Sequence, residues 1–139
     1  MPTNKQKILE FIKAHHIAVV ATTDTEKPEA AVVEYGETDE LELIIDTFIS
    51  SRKSKNILHN PNVALVIGWD NNITLQYEGE ATELKGSELE KSKEIYFKKN
   101  PRAKEWDGRE GIVYFKIIPK WIRYSDLNKH PWEVFEINL

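Results

Sequence analysis

Cysteine is absent from this chain of 139 residues. Its absence excludes disulfide bonds, thiolate metal ligands and thiol catalysis. Long apolar runs are absent too, and no stretch approaches the roughly 18 apolar residues that a membrane-spanning helix needs. The N-terminus also lacks the apolar region of a secretory signal, so the sequence predicts a cytoplasmic protein without a membrane partner.

Positive charge is in slight deficit, with 19 Lys and Arg against 23 Asp and Glu and a formal net charge of −4. This balance argues against nucleic acid as the main partner, and it predicts that any positive pocket is local. The chain is 40% hydrophobic and 30% charged, which is ordinary for a soluble globular protein. No repeat, low-complexity segment or linker interrupts it, so we expect a single domain over residues 1–139.

Three segments carry helical spacing or helix-capping signals. They lie at about residues 3–14, 51–59 and 87–99. The first and third begin with the spacing of a capping box, Thr3 with Gln6 and Ser87 with Glu90. The second is short and ends before Pro61, because a residue that precedes proline is disfavoured in a helix.

Strand-like runs dominate the rest of the chain. They read "IAVVATT", "EAAVVEY", "LELIID", "VALVIGW", "ITLQYEGEATEL" and "GIVYFKIIPKWIRYSD", with turns at "TDTEKP", "GETDE" and "DNN". The last run forms one or two strands, with Pro119 as a break or bulge. In the fifth run Ile73, Leu75 and Tyr77 share one face, and the polar Gln76 lies on the other. Six or seven strands with short turns predict a mainly β fold, a closed or nearly closed antiparallel barrel with about three flanking helices.

The string Ser50-Ser51-Arg52-Lys53 stands where a strand gives way to the short helix. A helix N-terminus presents unpaired N–H groups that suit an anion, and an arginine fork matches phosphate oxygens. The hydroxyl groups of Thr47 and Ser51 could assist. From spacing alone, however, the preferred interpretation is a serine cap with two solvated cations, since the string is no Walker loop.

Other candidate sites carry weaker signals. The adjacent His15 and His16 point in different directions and lack spaced partner ligands, so no metal site is predicted. No Ser-His-Asp arrangement can be assigned from spacing. The run "KKNPRAK" is interpreted as solvated surface, or as the rim of a pocket for an acidic ligand. The simplest interpretation of the tryptophans is as core or interface aromatics; they are Trp69, Trp106, Trp121 and Trp132.

A frame of short motifs surrounds the serine-rich string. In order, it contains Thr47, Ser51-Arg52-Lys53, Asn60-Pro61, the run 63–67, Trp69 and the strand ending "EGEATEL". Together with "EIYFKKNPRAKEW" and "IIPKWIRYSD", this frame resembles the pyridoxamine 5'-phosphate oxidase-like flavoproteins, which are FMN-binding split β-barrels. The resemblance covers residues 17–126.

The resemblance implies a cofactor site. Arg52 and Lys53 would hold the FMN phosphate, assisted by Ser51 and Thr47, with Asp46 in the same set. FMN phosphate carries about −1.5 to −2 charges, which an acidic chain can hold only with local cations.

The resemblance also implies contacts to the flavin ring. The strand that contains Ala31, Val32 and Val33 would lie along the ring and offer backbone groups to it. Gln76 or Thr74 would add a polar side chain, and Gln76 is preferred because a carboxamide both donates and accepts. The family forms homodimers with FMN at the subunit interface, so residues of both chains would line each site.

Several positions depart from the true oxidases. Ala31 occupies the place of an arginine, and Ser125 that of an aromatic residue that packs on the flavin. Of the three residues that hold the substrate phosphate, Tyr96 remains, but Asn100 and Lys104 replace the other two. The tail lacks the Arg-x-His motif over the substrate. The FMN site is therefore expected to be kept and the pyridoxamine phosphate site to be lost.

These inferences define a functional expectation. The chain is predicted to be a homodimeric FMN-binding oxidoreductase that acts on an unknown small molecule, with no catalytic residue assigned. Tyr96, Lys99 and Arg102 are candidate residues of the pocket rim. The alternatives are a non-catalytic flavin- or haem-binding or stress-sensing module, a barrel that uses the deazaflavin F420, and a dimeric scaffold with a vestigial site.

Overall fold

The chain folds as one antiparallel sheet with helices at its ends and edges, and the computed structural model describes all of residues 1–139. The strands are β1 (Ile17–Thr23), β2 (Pro28–Glu34), β3 (Gly36–Glu37), β4 (Leu43–Phe48), β5 (Asn62–Ile67), β6 (Ile73–Glu83), β7 (Ile112–Asp126) and β8 (Glu133–Asn138). The helices are α1 (Asn4–Ala14), α2 (Arg52–His59), α3 (Gly86–Lys99) and a 3₁₀ helix (Pro101–Trp106).

The strands form a half-barrel in the order β2-β1-β5-β6-β7-β4-β3. Every pairing is antiparallel, and β8 adds to β7 beyond the stretch that β4 occupies. This architecture confirms the predicted mainly β split barrel. Strand β2 lies at one end of the order and pairs only with β1, so one side of its backbone stays free of strand partners.

Two strands escaped the sequence prediction, so the count of six or seven was too low. The stretch "GETDE" was predicted as a turn, yet Gly36 and Glu37 pair with β4 before the chain turns. A Cβ on Gly36 would lie 3.0 Å from the Cα of Tyr96, so this glycine serves the close approach of α3 rather than a turn. The tail forms β8, to which the sequence prediction gave no structure.

Pro119 lies at a bulge within one continuous strand, as one of the two predicted alternatives had it. The register between β6 and β7 shifts here, since Glu78 pairs with Trp121 and Gly79 pairs with Pro119. On the other side of β7, β4 pairs up to Ile117 and β8 begins its pairing at Trp121. The proline, which has no N–H, thus stands where no strand on that side needs a donor.

The interior of the half-barrel is filled by a cluster of twenty buried apolar residues. Helix α1 closes one end with Ile8 and Ile12, which are fully buried. The predicted alternation of β6 is confirmed, because Leu75 and Tyr77 are buried and Gln76 is exposed. A second, smaller cluster lies under α3 and the 3₁₀ helix, and it contains Ile44, Leu84, Tyr96, Ala103 and Tyr114.

Helix capping follows the sequence prediction at α1 but not at α3. At α1, Thr3 and Gln6 form both bonds of the capping box. The capping box predicted at Ser87 and Glu90 was wrong: the N-cap of α3 is Lys85, two residues earlier, and it makes no side-chain cap bond. Gly86 turns the chain at φ +66°, so Ser87 is already inside the helix.

None of the tryptophans belongs to the core, which corrects one of the two interpretations offered for them. Trp69, Trp106 and Trp132 are 51%, 43% and 62% exposed, and Trp121 is partly buried. No helix of the chain combines the length and the apolar character that crossing a bilayer would require.

Candidate functional site

The junction between β4 and α2 is fixed by two hydroxyl groups. Ser51 is the N-cap of α2, and its Oγ accepts a hydrogen bond from the Ser54 backbone N–H at 3.1 Å. The same Oγ lies 2.9 Å from Thr47 Oγ1, which ties the cap to the end of β4. The cap that the sequence predicted is therefore present, and the N–H groups of Arg52 and Lys53 have no backbone partner.

The two cations that follow the cap differ in their partners. The Arg52 side chain is 81% exposed, and its Nε donates to Glu29 Oε2 of β2 at 2.6 Å. Lys53 forms no ion pair and lines two neighbouring cavities. An unpaired ammonium beside a helix N-terminus makes this junction locally positive, although the chain as a whole is acidic.

A small polar network holds the arginine partner in place. Asn56 of α2 donates its side-chain amide to Glu29 at 2.8 Å and to Thr22 of β1 at 3.0 Å. Asn56 and Thr22 are buried, so these bonds fix α2 against β1 and β2. Glu29, in turn, directs the Arg52 guanidinium along the edge of β2.

A groove follows the free side of β2. Its larger part is a cleft of about 380 Å³, and its smaller part is a cavity of about 170 Å³. Lys53 lines both parts, so the two are adjacent. The cleft is lined by Ile17, Val32, Val33, Glu34, Asp46, Lys53, Tyr96, Arg102, Ala103 and Trp106, and the cavity adds Val20, Thr22, Glu29, Ala30, Ala31 and Arg52.

The cleft contains a hydrogen-bonded pair from two distant elements. Tyr96 of α3 is buried, and its hydroxyl donates to Asp46 Oδ1 of β4 at 2.7 Å. Burial raises the pKa of Asp46, while the bond from Tyr96 and the charge of Lys53 lower it in part. Burial, together with the charge of Asp46, raises the pKa of Tyr96 strongly, so its phenol stays protonated.

Most of the residues predicted for the site come together at this groove. Ala31 lines its small cavity, and Val32, Val33, Asp46 and Lys53 line the cleft.

The polar side chains predicted for β6 lie elsewhere. Gln76 and Thr74 line neither part of the groove. Across the sheet, Val32 pairs with Val19, Val19 with Val66, and Val66 with Gln76. Three interstrand spacings therefore separate Gln76 from β2, or about 14 Å.

The three candidates for the pocket rim divide in the same way. Tyr96 and Arg102 line the cleft, but Lys99 does not. The Lys99 ammonium forms a short ion pair with Glu37, donates to the Ile12 carbonyl at 3.0 Å and lies 4.2 Å from the centre of the Tyr35 ring. Its placement at the rim was wrong, because this network directs its side chain into the packing of α1 and α3.

Among the charged and aromatic residues of the groove, sequence reasoning missed three. Glu29 and Glu34 flank the predicted flavin-facing strand, and Trp106 lies on the 3₁₀ helix. The two glutamates bound a four-residue apolar run, and nothing local in that run marks them as residues of a site. Trp106 had no local signal beyond its aromatic character, since only the tertiary fold brings it to the cleft.

The donor set fits an anionic group with a flat, partly apolar body. Two cations and the N-terminus of α2 lie where the two parts of the groove meet. The edge of β2 offers unpaired backbone groups beside Val32 and Val33. Nowhere does the chain bring three or more His, Cys, Asp or Glu side chains together as a metal site.

The fold and the groove define the class of protein as a split β-barrel with a cleft at its open edge. The sequence profile of the pyridoxamine 5'-phosphate oxidase family matches residues 5–126. The chain therefore belongs to this family. A search of curated proteins finds no match.

Solved structures with this fold include proteins of different kinds. General Stress Protein 26 from Bacillus anthracis has 27% identity and a TM-score of 0.77, with 97% of this chain and 98% of that chain covered. The heme binding protein from Mycobacterium smegmatis has 15% identity and a TM-score of 0.87, and the 99% of this chain that aligns spans 59% of that protein's length. ChuZ from Campylobacter jejuni has 16% identity and a TM-score of 0.81, with 96% and 58% covered. The last two likenesses concern the fold alone.

Proposed function

We propose that this protein is an FMN-binding flavoprotein that acts as an oxidoreductase on a small organic molecule. The observation that carries the proposal is the unpaired Lys53 beside the capped N-terminus of α2, at the point where the two parts of the groove meet. Membership of the pyridoxamine 5'-phosphate oxidase family supports a flavin as the occupant.

The phosphate of FMN would bind beside Lys53, where the two parts of the groove meet. Arg52 and Lys53 would supply charge-assisted hydrogen bonds, and the unpaired N–H groups of α2 would add to them. Arg52 can take part because its guanidinium has five donors, and Glu29 engages only Nε. Thr47 and Ser51 would contribute by holding the N-terminus of α2 in place.

The flavin ring would lie along β2. That strand has one free backbone edge, and Val32 and Val33 give it an apolar surface beside the cleft. Ala31, at the place of an arginine in the true oxidases, leaves the middle of the strand without a long side chain. The protein would orient the ring and keep water from one of its faces, while bound FMN would supply the acceptance and release of a hydride or electrons.

A second copy of the chain would complete the site, as in a homodimer with FMN at the interface. Gln76 lies about 14 Å from β2 in the same chain, so its predicted contact with the flavin requires a partner. The surface between them supports this, because Val32 of β2 and Val66 of β5, on either side of β1, are 62% and 36% exposed on the outer face of the sheet. An apolar outer face that ends in a polar side chain suits a shared seam.

Haem is the second candidate ligand, since proteins of this fold include haem binders. The cleft argues for FMN over haem. Haem iron takes an axial His, Met, Cys or Tyr ligand, and none of the residues that line the groove is His, Met or Cys. The one such residue present is Tyr96, whose hydroxyl is engaged by Asp46.

The experiment is a spectrum followed by a matched pair of variants. The purified protein, or protein mixed with FMN, should show flavin absorption. Arg52→Ala with Lys53→Ala should lower FMN affinity at least ~100-fold, because two charge-assisted bonds of about 1.5 to 3 kcal/mol each are removed. Lys55→Ala, an exposed lysine of the same helix, is the control and should bind FMN normally.

Three outcomes would contradict the proposal. A colourless protein that ignores added FMN would refute it, and a Soret band with haem and no flavin binding would favour the second candidate. Equal FMN affinity in the double variant and in Lys55→Ala would remove Arg52 and Lys53 from the site. The dimer is tested separately by sedimentation, and Gln76→Ala should weaken FMN binding without changing the fold.

A further inference from the structure

The carboxylate of Asp46 has a single side-chain partner. Tyr96 donates to Oδ1, and no other side chain donates to this carboxylate. The single buried side-chain polar atom without a partner in the protein is Ser54 Oγ, so neither oxygen of Asp46 is both buried and unpaired. Asp46 is only partly buried and lines the cleft, so its carboxylate can be reached from there.

Tyr96 positions this carboxylate rigidly. The tyrosine is 1% exposed and packs against Phe97 and Tyr114, with ring centres 5.8 Å and 6.2 Å away. Its hydroxyl cannot turn to a ligand without leaving Asp46 uncompensated. A phosphate or carboxylate placed near Tyr96 would meet the Asp46 charge at short range, and in a partly desolvated cleft that repulsion is costly.

The charges that line the cleft favour a cation once FMN is present. Two acidic side chains, Glu34 and Asp46, face two basic ones, Lys53 and Arg102. A bound FMN phosphate would engage Lys53, which leaves two carboxylates against one guanidinium. The remaining walls are apolar, with Ile17, Val32 and Trp106 partly exposed, so they suit the body of an organic molecule.

We propose that Asp46, positioned by Tyr96, binds the protonated nitrogen of a small organic cation in this cleft and excludes anionic substrates from it. This inference rests on the proposed function, because the bound phosphate is what removes the charge of Lys53 from the cleft. It names the substrate class of the same site as an amine or another nitrogen cation with an apolar body. The pKa of Asp46, raised by burial, would fall when such a cation binds.

The test compares three probes that share a ring and differ in charge. Benzylamine, benzyl alcohol and benzoate are titrated into ¹⁵N-labelled protein, with and without FMN, and binding is followed by NMR shifts of β4 and α3. Holoprotein should bind benzylamine at least tenfold more tightly than benzoate. Asp46→Asn should weaken benzylamine binding about tenfold and leave benzyl alcohol unaffected, as expected for the loss of one charged partner.

Two further variants keep the result interpretable. Asp70→Asn removes an equal charge from an exposed turn and should bind all three probes as the wild type does. Tyr96→Phe keeps the ring but frees the carboxylate, and it should reduce the preference for the amine over benzoate. It also provides a second measurement if Asp46→Asn does not fold.

The remaining outcomes either contradict the role of Asp46 or distinguish it from the binding of FMN. Benzoate binding as tight as that of benzylamine would overturn it, as would unchanged amine affinity in both variants. Loss of FMN affinity in Asp46→Asn with the amine preference intact would make Asp46 a cofactor contact instead. If the wild-type protein does not bind FMN, the proposed function fails. If that protein still binds benzylamine and Asp46→Asn abolishes this binding, the Asp46 site stands without the flavin.

Discussion

Lys53 and Lys99 are two lysines with opposite surroundings. Lys99 is 9% exposed, pairs with a Glu37 side chain that is 12% exposed, and also donates to the Ile12 carbonyl. Burial lowers the pKa of Lys99, and the bond and charge of Glu37 oppose that change. Lys53 has no acidic partner and lines both parts of the groove.

The difference separates a cation that holds the fold from one that can hold a ligand. The Lys99 network joins the end of α1, strand β3 and the end of α3, and Asn100 extends it by donating to the Tyr35 and Tyr96 carbonyls. Glu37 already neutralises the charge of Lys99, so a ligand would gain little from contact with this lysine. The charge of Lys53 is available, because no carboxylate forms an ion pair with it and Asp46 acts on it only at longer range.

Removal of the Lys99 ammonium should have the largest effect on stability. Lys99→Ala leaves the Glu37 carboxylate and the Ile12 carbonyl without their partner, and breaking a buried pair in this way costs about 3 kcal/mol or more. The free energy of unfolding, measured in urea, should fall by that amount, and the melting temperature by on the order of 10 °C.

Two comparisons sharpen this result. Lys98→Ala, which removes an exposed neighbour of Lys99, should change the free energy of unfolding by less than about 0.5 kcal/mol. Lys53→Ala should also leave stability nearly unchanged while it weakens FMN binding. A loss below about 1 kcal/mol in Lys99→Ala would mean that water screens the Glu37 pair, and the contrast between the two lysines would then fail.

Loss of the cap at α2 should have an intermediate effect. Ser51→Ala removes the acceptor of the Ser54 N–H and the partner of Thr47, and N-cap substitutions of this kind cost about 1 kcal/mol. Urea unfolding measures the change. The same substitution should lower FMN affinity, because a frayed N-terminus no longer aligns its N–H groups with the phosphate.

The matched control for this prediction is Ser87→Ala. Ser87 carries the sequence signal of a cap, but α3 begins at Gly86 and no side chain caps it. Its substitution should therefore change stability by less than about 0.5 kcal/mol. Equal losses of unfolding free energy in Ser51→Ala and Ser87→Ala would contradict this, because only Ser51 makes a cap bond in the structure.

The two serines also illustrate what the sequence could predict. Local signals sufficed for the cap formed by Ser51 and Ser54 and for the alternation of β6, but not at Ser87, where Gly86 starts the helix earlier. They failed where a distant element decides the conformation: Gly36 is small because α3 packs on it, and β8 exists because β7 offers it an edge.

The groove shows the same limit. The cations of the phosphate end are neighbours in the chain, so the amino-acid sequence by itself displays them as one string. The other end depends on Asp46 and Tyr96, which are separated by 50 positions and meet only because α3 packs beside β4. Spacing in the sequence carries no information about such a pair, and for the same reason Lys99 was wrongly assigned to the rim.

The smallest expected effect is a pH dependence that isolates Asp46. Burial raises its pKa in the folded chain above the ordinary aspartate value of 3.8, so between these two values the folded chain holds more protons than the unfolded chain. Stability from this group is therefore greatest below the unfolded-state pKa, and it is lost as pH rises through the folded-state pKa.

Asp46→Asn cannot titrate, so its free energy of unfolding relative to wild type should rise as pH increases from about 4 to about 7. Urea unfolding across this range measures the difference, with Asp70→Asn as the charge control. If the free energy of unfolding of Asp46→Asn relative to wild type falls as pH rises, Lys53 and Tyr96 outweigh burial at Asp46. The ionised carboxylate would then stabilise the fold, as the Lys99 ion pair does.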